Sequence, residues 1–166
     1  MTPFSIRDVN SFSLSACDFI GIYYLFRYNK TMKLLVLCTG NTCRSQIAEG
    51  LFRNKYPEHE VFSAGTHPEN MVNPYAMKAM MEHGINMSDQ YPKLLDQFID
   101  DEFDYVFTVC DSAKESCPIF PNAKNVIHHS FEDPSRSNYE SDQEAMNMYT
   151  KTVNDIASWI DSMDFL

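Results

Sequence analysis

The stretch that most restricts the fold is Cys38-Thr-Gly-Asn-Thr-Cys-Arg-Ser45, read with its flanks. A short apolar run, Leu34 to Leu37, precedes it, and a helical pattern begins at Gln46. A strand that turns into a helix over such a loop presents the helix N-terminus to the loop. Unpaired N–H groups and a partial positive charge at that terminus bind tetrahedral oxyanions. Gly40 and Asn41 tolerate the positive φ that lets successive N–H groups converge, and Thr39, Thr42 and Cys43 complete the cradle. Arg44 adds a planar fork able to hold two oxygens. The same field acts on Cys38. An ordinary thiol, with a pKa near ~8.5, is only about 3 % thiolate at pH 7, and a positive field raises that fraction. The Ser45 hydroxyl can also donate to the sulfur. One loop therefore binds an anion and sets a charged nucleophile beneath it.

Strand and helix signals alternate from Met32 onward. Lys33–Cys38, Glu60–Ser63, Asp104–Cys110 and Asn125–His129 read as strands. The third is the clearest, because Tyr-Val-Phe-Thr-Val is aromatic or β-branched throughout. Ser45–Tyr56, Asn73–His83 and Asp142–Met163 read as helices, and Leu94–Phe98 as a short one. Pro74 suits a first turn and Gly84 a stop. The stripe Met146, Tyr149, Val153, Ile156, Ala157 and Ile160 reads as core, as does the face at Met77, Met80 and Met81. The expected fold is α/β, a three-layer sandwich with a four-stranded parallel sheet covered on both faces. Ligands of such sheets bind beyond the C-terminal strand ends, where Cys38 falls.

The chain of 166 residues has room for one full core. Its net charge is −10, and residues 1–31 hold Arg7, Arg27 and Lys30 against Asp8 and Asp18, so the negative charge belongs to the remainder. That disfavours nucleic acid and anionic membranes as partners. Arg44 and the N–H nest must then attract an oxyanion against the field of the whole molecule. Residues 1–31 are rich in Ser and aromatics without a clear period and are expected to be an upstream extension of unknown role, with the domain at 32–166. Phe19 to Phe26 is far shorter than the ~20 residues that span a bilayer, and no secretory signal is expected.

The five cysteines are Cys17, Cys38, Cys43, Cys110 and Cys117. An odd count without a signal peptide points to cytoplasmic thiol chemistry rather than a disulfide scaffold. Cys110 ends the third strand, so a parallel sheet puts it on the same edge as Cys38. Cys117 follows seven residues later. Were 111–116 helical, the rise would be roughly 10 Å. A disulfide needs Cα atoms within about 4.4–6.8 Å, so joining this pair requires the segment to unwind. Pro118 and Pro121 weaken its end. Cys38-x4-Cys43 has plausible zinc spacing and His128 and His129 lie on a strand, but Cys110-x6-Cys117 is long for a zinc hairpin, and no metal is expected. One histidine ring of the pair is expected in the core and the other in solvent. Finally, Phe131-Glu-Asp-Pro134 offers two carboxylates on a loop after the fourth strand, the place for a general acid that closes over the cradle.

The run C-T-G-N-T-C-R-S-Q-I-A-E-G resembles the phosphate-loop signature of the low-molecular-weight tyrosine phosphatase superfamily. Within it, the similarity is greatest to the thioredoxin-coupled arsenate reductases. Those usually read C-T-G-N-S-C-R-S-Q-M-A-E-G, so Thr42 and Ile47 depart mildly, while the phosphatases usually carry Pro where this chain has Gln46. V-C-D-S-A-K-E-S-C-P resembles the redox segment of the same reductases. The resemblance implies Cys38 as nucleophile, Arg44 and Ser45 as its support, and Asp133 as the acid, with Glu132 in reserve. It implies a relay in which Cys110 attacks Cys38 and Cys117 attacks Cys110, leaving a disulfide for thioredoxin. Cys43 is not required for turnover, and a Cys38–Cys43 disulfide would be an oxidised dead-end form.

The implied activity is reduction of arsenate to arsenite by a cytoplasmic monomer that uses no cofactor, with residual action on phosphate-like oxyanions. A protein tyrosine phosphatase using Cys38, Arg44 and Asp133 alone stands as one alternative. The Ser135-Arg-Ser137 that follows Asp-Pro, in place of aromatics, disfavours phosphotyrosine. A non-catalytic thiol sensor is another. Some of these reductases hold a potassium ion that steadies the loop. Asn41, Glu49 and Ser63 match three ligand positions, and Lys93 stands where a fourth, acidic ligand is usual. An ammonium there replaces the ion, so potassium dependence is not expected.

Overall fold

Leu34 to Leu37 are all buried, yet they alternate between two cores. Leu34, Val36 and Cys38 face one cluster, and Leu35 and Leu37 the other. A strand of period two with both faces apolar belongs at the centre of a covered sheet. The computed structural model describes residues 31–109, 120, 122–136 and 138–164, and places this strand, β1 (Lys33–Cys38), accordingly. β2 (Glu60–Gly65) and β3 (Phe103–Thr108) pair with it in parallel on either side, and β4 (Ala123–His128) joins β3, giving the order β2-β1-β3-β4. The α/β class and the four parallel strands are those expected.

Three helices, α1 (Arg44–Lys55), α2 (Pro74–Glu82) and α3 (Asp142–Asp161), share the core on one face. Asn73 caps α2 through its side chain, ahead of Pro74 in the first turn, and Ser141 caps α3. Gly84 takes φ 84° just past α2, where a side chain would be strained. In α3, Met146, Tyr149, Val153, Ile156 and Ile160 are buried as expected. Met80 is buried too, but Met81 is exposed, because it has turned past the face of α2 that meets the core. Phe52 stacks on Phe107 at 4.9 Å, and Trp159 meets both rings edge-on.

The other face is covered, among the described residues, by a 3-10 turn (Leu95–Phe98) and Phe120. The expected short helix is this turn. Leu94 just before it bridges to Gly65 in parallel fashion, tying the turn to the end of β2.

The strand order reverses at β1, since the chain runs from β1 to β2 on one side and then crosses to β3 on the other. The crevice at such a reversal, beyond the C-terminal strand ends, is where α/β sheets bind ligands. Cys38 is the last residue of β1, and α1 begins six residues later at Arg44. The expected strand end at Cys110, and with it Cys117 and Cys17, lies outside the described residues. No helix among the described residues is long and apolar enough to cross a membrane.

Candidate active site

The loop between β1 and α1 is built by turning its carbonyls away from its centre. Thr66 N–H donates to Cys38 O, His67 N–H to Thr39 O, Glu69 N–H to Gly40 O and Asn73 N–H to Thr42 O. Gln46 Nε2 donates to Asn41 O, and Ile47 N–H to Cys43 O. In a trans peptide the carbonyl and the next N–H point in opposite directions. Holding these carbonyls outward therefore aims the N–H groups of residues 40–44 inward. One of them shows it directly: Asn41 N–H donates to Cys38 Sγ at 3.1 Å. Asn41 makes the turn possible with φ 50°, and no other non-glycine residue among those described has a positive φ.

Gly65 holds the space beneath the loop. A Cβ there would stand 2.5 Å from Thr39 O and 3.0 Å from Asn41 Cβ. Nothing local in the sequence marks Gly65: its importance comes from its pairing with Cys38 at the ends of β2 and β1.

The nucleophile candidate is well supported. Cys38 is buried, and its Sγ lies 2.9 Å from Ser45 Oγ. Asn41 Nδ2 donates to Ser45 Oγ at 2.8 Å and to Ser63 Oγ at 2.9 Å. Ser63 donates in turn to Glu49, whose carboxylate is fully buried. Lys93 Nζ stands 3.3 Å from Glu49 Oε2, and Arg53 Nη2 stands 2.5 Å from Oε1. The sequence-predicted supporting set, Asn41, Glu49, Ser63 and Lys93, thus meets as one network behind the loop.

Cys43 is of another kind. Burial pushes its thiol far up from the ordinary range and the Asp133 charge adds to this, against a smaller opposing pull from Arg44. It stays a thiol at neutral pH and packs in the core.

Arg44 and Asp133 also come together. Arg44 Nη2 donates to Asp133 Oδ2 at 2.6 Å, and Nη1 to Phe131 O at 2.9 Å. Asp133 Oδ1 accepts from Ser135 N–H at 3.1 Å. Tyr139 Oη donates to Pro134 O, and Ser135 Oγ lies 3.3 Å from Tyr149 Oη. Glu132, the reserve acid, is exposed and stands 3.7 Å from Lys151 Nζ, away from the loop. Both His128 and His129 are exposed, contrary to the expectation of one core ring. β4 is an edge strand, so His128 Nδ1 sits 2.7 Å from Thr108 Oγ1, and His129 lies against Phe131 and Trp159 at the rim.

Cys38, Thr39, Gly40, Thr42, Cys43, Arg44, Asp133 and Ser135 line one cavity of about 670 Å³, with His67, Glu69, Met71, Asn73 and Pro74 on its outer wall. A buried sulfur with donors on it, an anion cradle around it and a carboxylate on the wall of the same cavity are the chemistry that cysteine-based attack on a tetrahedral oxyanion requires. The chain belongs to the low molecular weight phosphotyrosine protein phosphatase family, whose model matches residues 33–158. An arsenate reductase of Halalkalibacterium halodurans is 40% identical over 126 residues, covering 75% of this chain and 88% of that protein. Among solved structures, the low molecular weight protein tyrosine phosphatase of T. tengcongensis superposes with a TM-score of 0.65 at 26% identity, over 79% of this chain and 96% of that one. The thioredoxin-dependent arsenate reductase of Corynebacterium glutamicum superposes with a TM-score of 0.56 at 25% identity, over 87% and 73% respectively.

Proposed function

We propose that this enzyme reduces arsenate to arsenite, with thioredoxin as the source of electrons. The observation that carries the reading is Cys38 Sγ, held 3.1 Å from Asn41 N and 2.9 Å from Ser45 Oγ at the floor of a loop whose carbonyls face away. Arsenate enters the nest and draws Arg44 onto its oxygens. The Cys38 thiolate attacks arsenic, an S–As bond forms, and an As–O bond breaks as Asp133 protonates the departing oxygen. The Cys110 thiolate then attacks Cys38 Sγ. An S–S bond forms, the S–As bond breaks, and its electron pair stays on arsenic, which leaves as arsenite. Cys117 attacks Cys110 and frees Cys38. The dithiol of thioredoxin reduces the Cys110–Cys117 disulfide by the same exchange. The sequence similarity to named arsenate reductases supports this reading, and a solved thioredoxin-dependent relative supports the choice of reductant.

The cavity favours a second activity. It extends past the loop to Met71 and Pro74, more room than one tetrahedral oxyanion fills. Phosphate monoesters present the same charge and geometry to the nest, so slow aryl phosphate hydrolysis accompanies reduction.

Replacing Cys117 with Ala separates the readings. Arsenate-dependent NADPH oxidation through thioredoxin and its reductase is expected to stop after about one turnover, while aryl phosphate hydrolysis persists. Aryl phosphate hydrolysis at the same rate in parent and variant, with no arsenate-dependent NADPH oxidation in either, would make the protein a phosphatase. Absence of either activity in the unsubstituted protein would leave a sensor.

A further inference from the structure

A line of side-chain amides and hydroxyls ends on Cys38, and main-chain atoms fix the direction of each amide in it. At the outer end, Gln90 Nε2 donates to the main-chain carbonyl of Gln46 at 3.0 Å and to Gln46 Oε1 at 2.9 Å. A carbonyl only accepts, so Gln90 presents its NH₂ group there and Gln46 receives it on oxygen. Gln46 is fixed a second time from its other side. Its Nε2 lies 3.0 Å from Asn41 O and 2.9 Å from Tyr91 O, both pure acceptors. The same Nε2 lies 3.1 Å from Asn41 Oδ1.

Asn41 is fixed by Lys93, whose main-chain N–H donates to Asn41 Oδ1 at 2.7 Å. Asn41 Nδ2 therefore points the opposite way, to Ser45 Oγ and Ser63 Oγ. Ser63 spends its proton on Glu49 and accepts from Asn41. Ser45 also accepts from Asn41, which leaves its own proton to lie along the 2.9 Å line to Cys38 Sγ.

We propose that Gln46 and Gln90 are positioning residues for the nucleophile. They head a one-way hydrogen-bond relay, Gln90 to Gln46 to Asn41 to Ser45, that holds Ser45 as a donor to Cys38 and so favours the thiolate. Hydrogen bonds aligned head to tail polarise one another, by about 10–30% per bond. The relay also explains why a fully buried amide is tolerated at position 46, in the first turn of α1, where a proline would fit the backbone. Gln46 finds partners for both ends of its amide, so its burial carries no unsatisfied group. The inference rests on the reading of Cys38 as the nucleophile.

The test is the pH dependence of Cys38 alkylation by iodoacetamide in the folded enzyme without substrate. Peptide mass spectrometry counts each cysteine separately. Gln90→Met and Gln46→Met keep length and shape while removing the donors. The alkylation midpoint is expected to rise in both, more in Gln46→Met. Below the midpoint the rate falls about threefold for each half unit of rise. A clamp that merely ties the 90–93 segment to the loop would lower the melting temperature and leave the midpoint in place. Coincident midpoints for Gln90→Met and the unsubstituted enzyme would overturn the relay. Gln90 is only half-buried, so that variant decides alone should Gln46→Met fail to fold. An unsubstituted midpoint at the ordinary thiol value of ~8.5 would instead remove the nucleophile reading beneath it.

Discussion

Arg44 Nη2 lies 2.6 Å from Asp133 Oδ2, so the cation proposed to hold an oxyanion is paired with the carboxylate proposed as the proton donor. Both groups are largely buried, which makes the pair more than a surface contact. An incoming oxyanion competes with Asp133 for the same guanidinium. Asp133→Ala is therefore expected to do two opposite things. Phosphate, measured as a competitive inhibitor, should bind roughly tenfold more tightly, since Arg44 is released and a nearby negative charge is gone. Turnover of an aryl phosphate with a poor leaving group should fall about 10²–10⁴-fold, the usual contribution of a positioned acid. Phosphate that binds this variant no better than the parent would show that the ion pair does not restrain Arg44.

Behind the loop, Lys93 Nζ occupies the side of Glu49 opposite Arg53, and it also donates to Tyr91 O at 3.0 Å. A buried carboxylate with two cations on it has no need of a third. Turnover is expected to change little when potassium replaces a bulky organic cation at constant ionic strength. Lys93→Met removes half of this compensation. Breaking a buried pair costs about 3–5 kcal/mol, and the lower end applies because Arg53 remains. Potassium should raise the melting temperature of this variant and not of the parent. A several-fold rate increase with potassium in the parent would contradict the substitution of ammonium for ion.

Local signals made much of this legible. The loop was readable because Gly40, Asn41, Arg44 and Ser45 are each a residue type that the anion cradle requires, and β1 because Leu34–Leu37 is apolar without a break. Element ends shifted by a residue or two where caps decide them: Asn73 stands outside α2 as its cap, and β2 runs on to Gly65. What stayed hidden depends on contacts distant in sequence. Gly65 matters only because β2 lies beside β1. The partnership of Gln46 with Gln90 spans 44 residues. Glu132 and Asp133 are neighbours of like chemistry, and only the fold turns one toward Arg44 and the other toward Lys151.

Gly65→Ala tests how tightly the loop is braced. The added methyl would stand 2.5 Å from Thr39 O, a main-chain atom that cannot swing aside. Overpacking of this kind costs about 1–3 kcal/mol. It also displaces Asn41, whose N–H sits on Cys38. The variant is expected to lose stability in that range by denaturant titration, and to lose kcat more than its fold loses integrity. A variant with the parent's stability and kcat would mean that the strand end moves freely under the loop.

Burial of Tyr149 makes stability depend on pH in the alkaline range. It is buried in α3, its ring stacks on Tyr75 at 5.5 Å, and burial pushes its phenol up to about 12, partly offset by the contact with Ser135. An acid whose folded-state value lies above its unfolded one keeps its proton longer in the folded chain. Its contribution is therefore full below about pH 10, the unfolded value, and is lost as pH rises through the folded value near 12. Tyr149→Phe keeps the ring and removes the titration. The stability difference between parent and variant should be constant from pH 7 to about 9, then shift against the parent by at most about 2–3 kcal/mol on approaching pH 12. Denaturant titrations at each pH measure it. A difference that stays flat through that range would show that the phenol reaches water when it ionises, and that the packing of α3 against the acid-bearing loop is looser than its contacts imply.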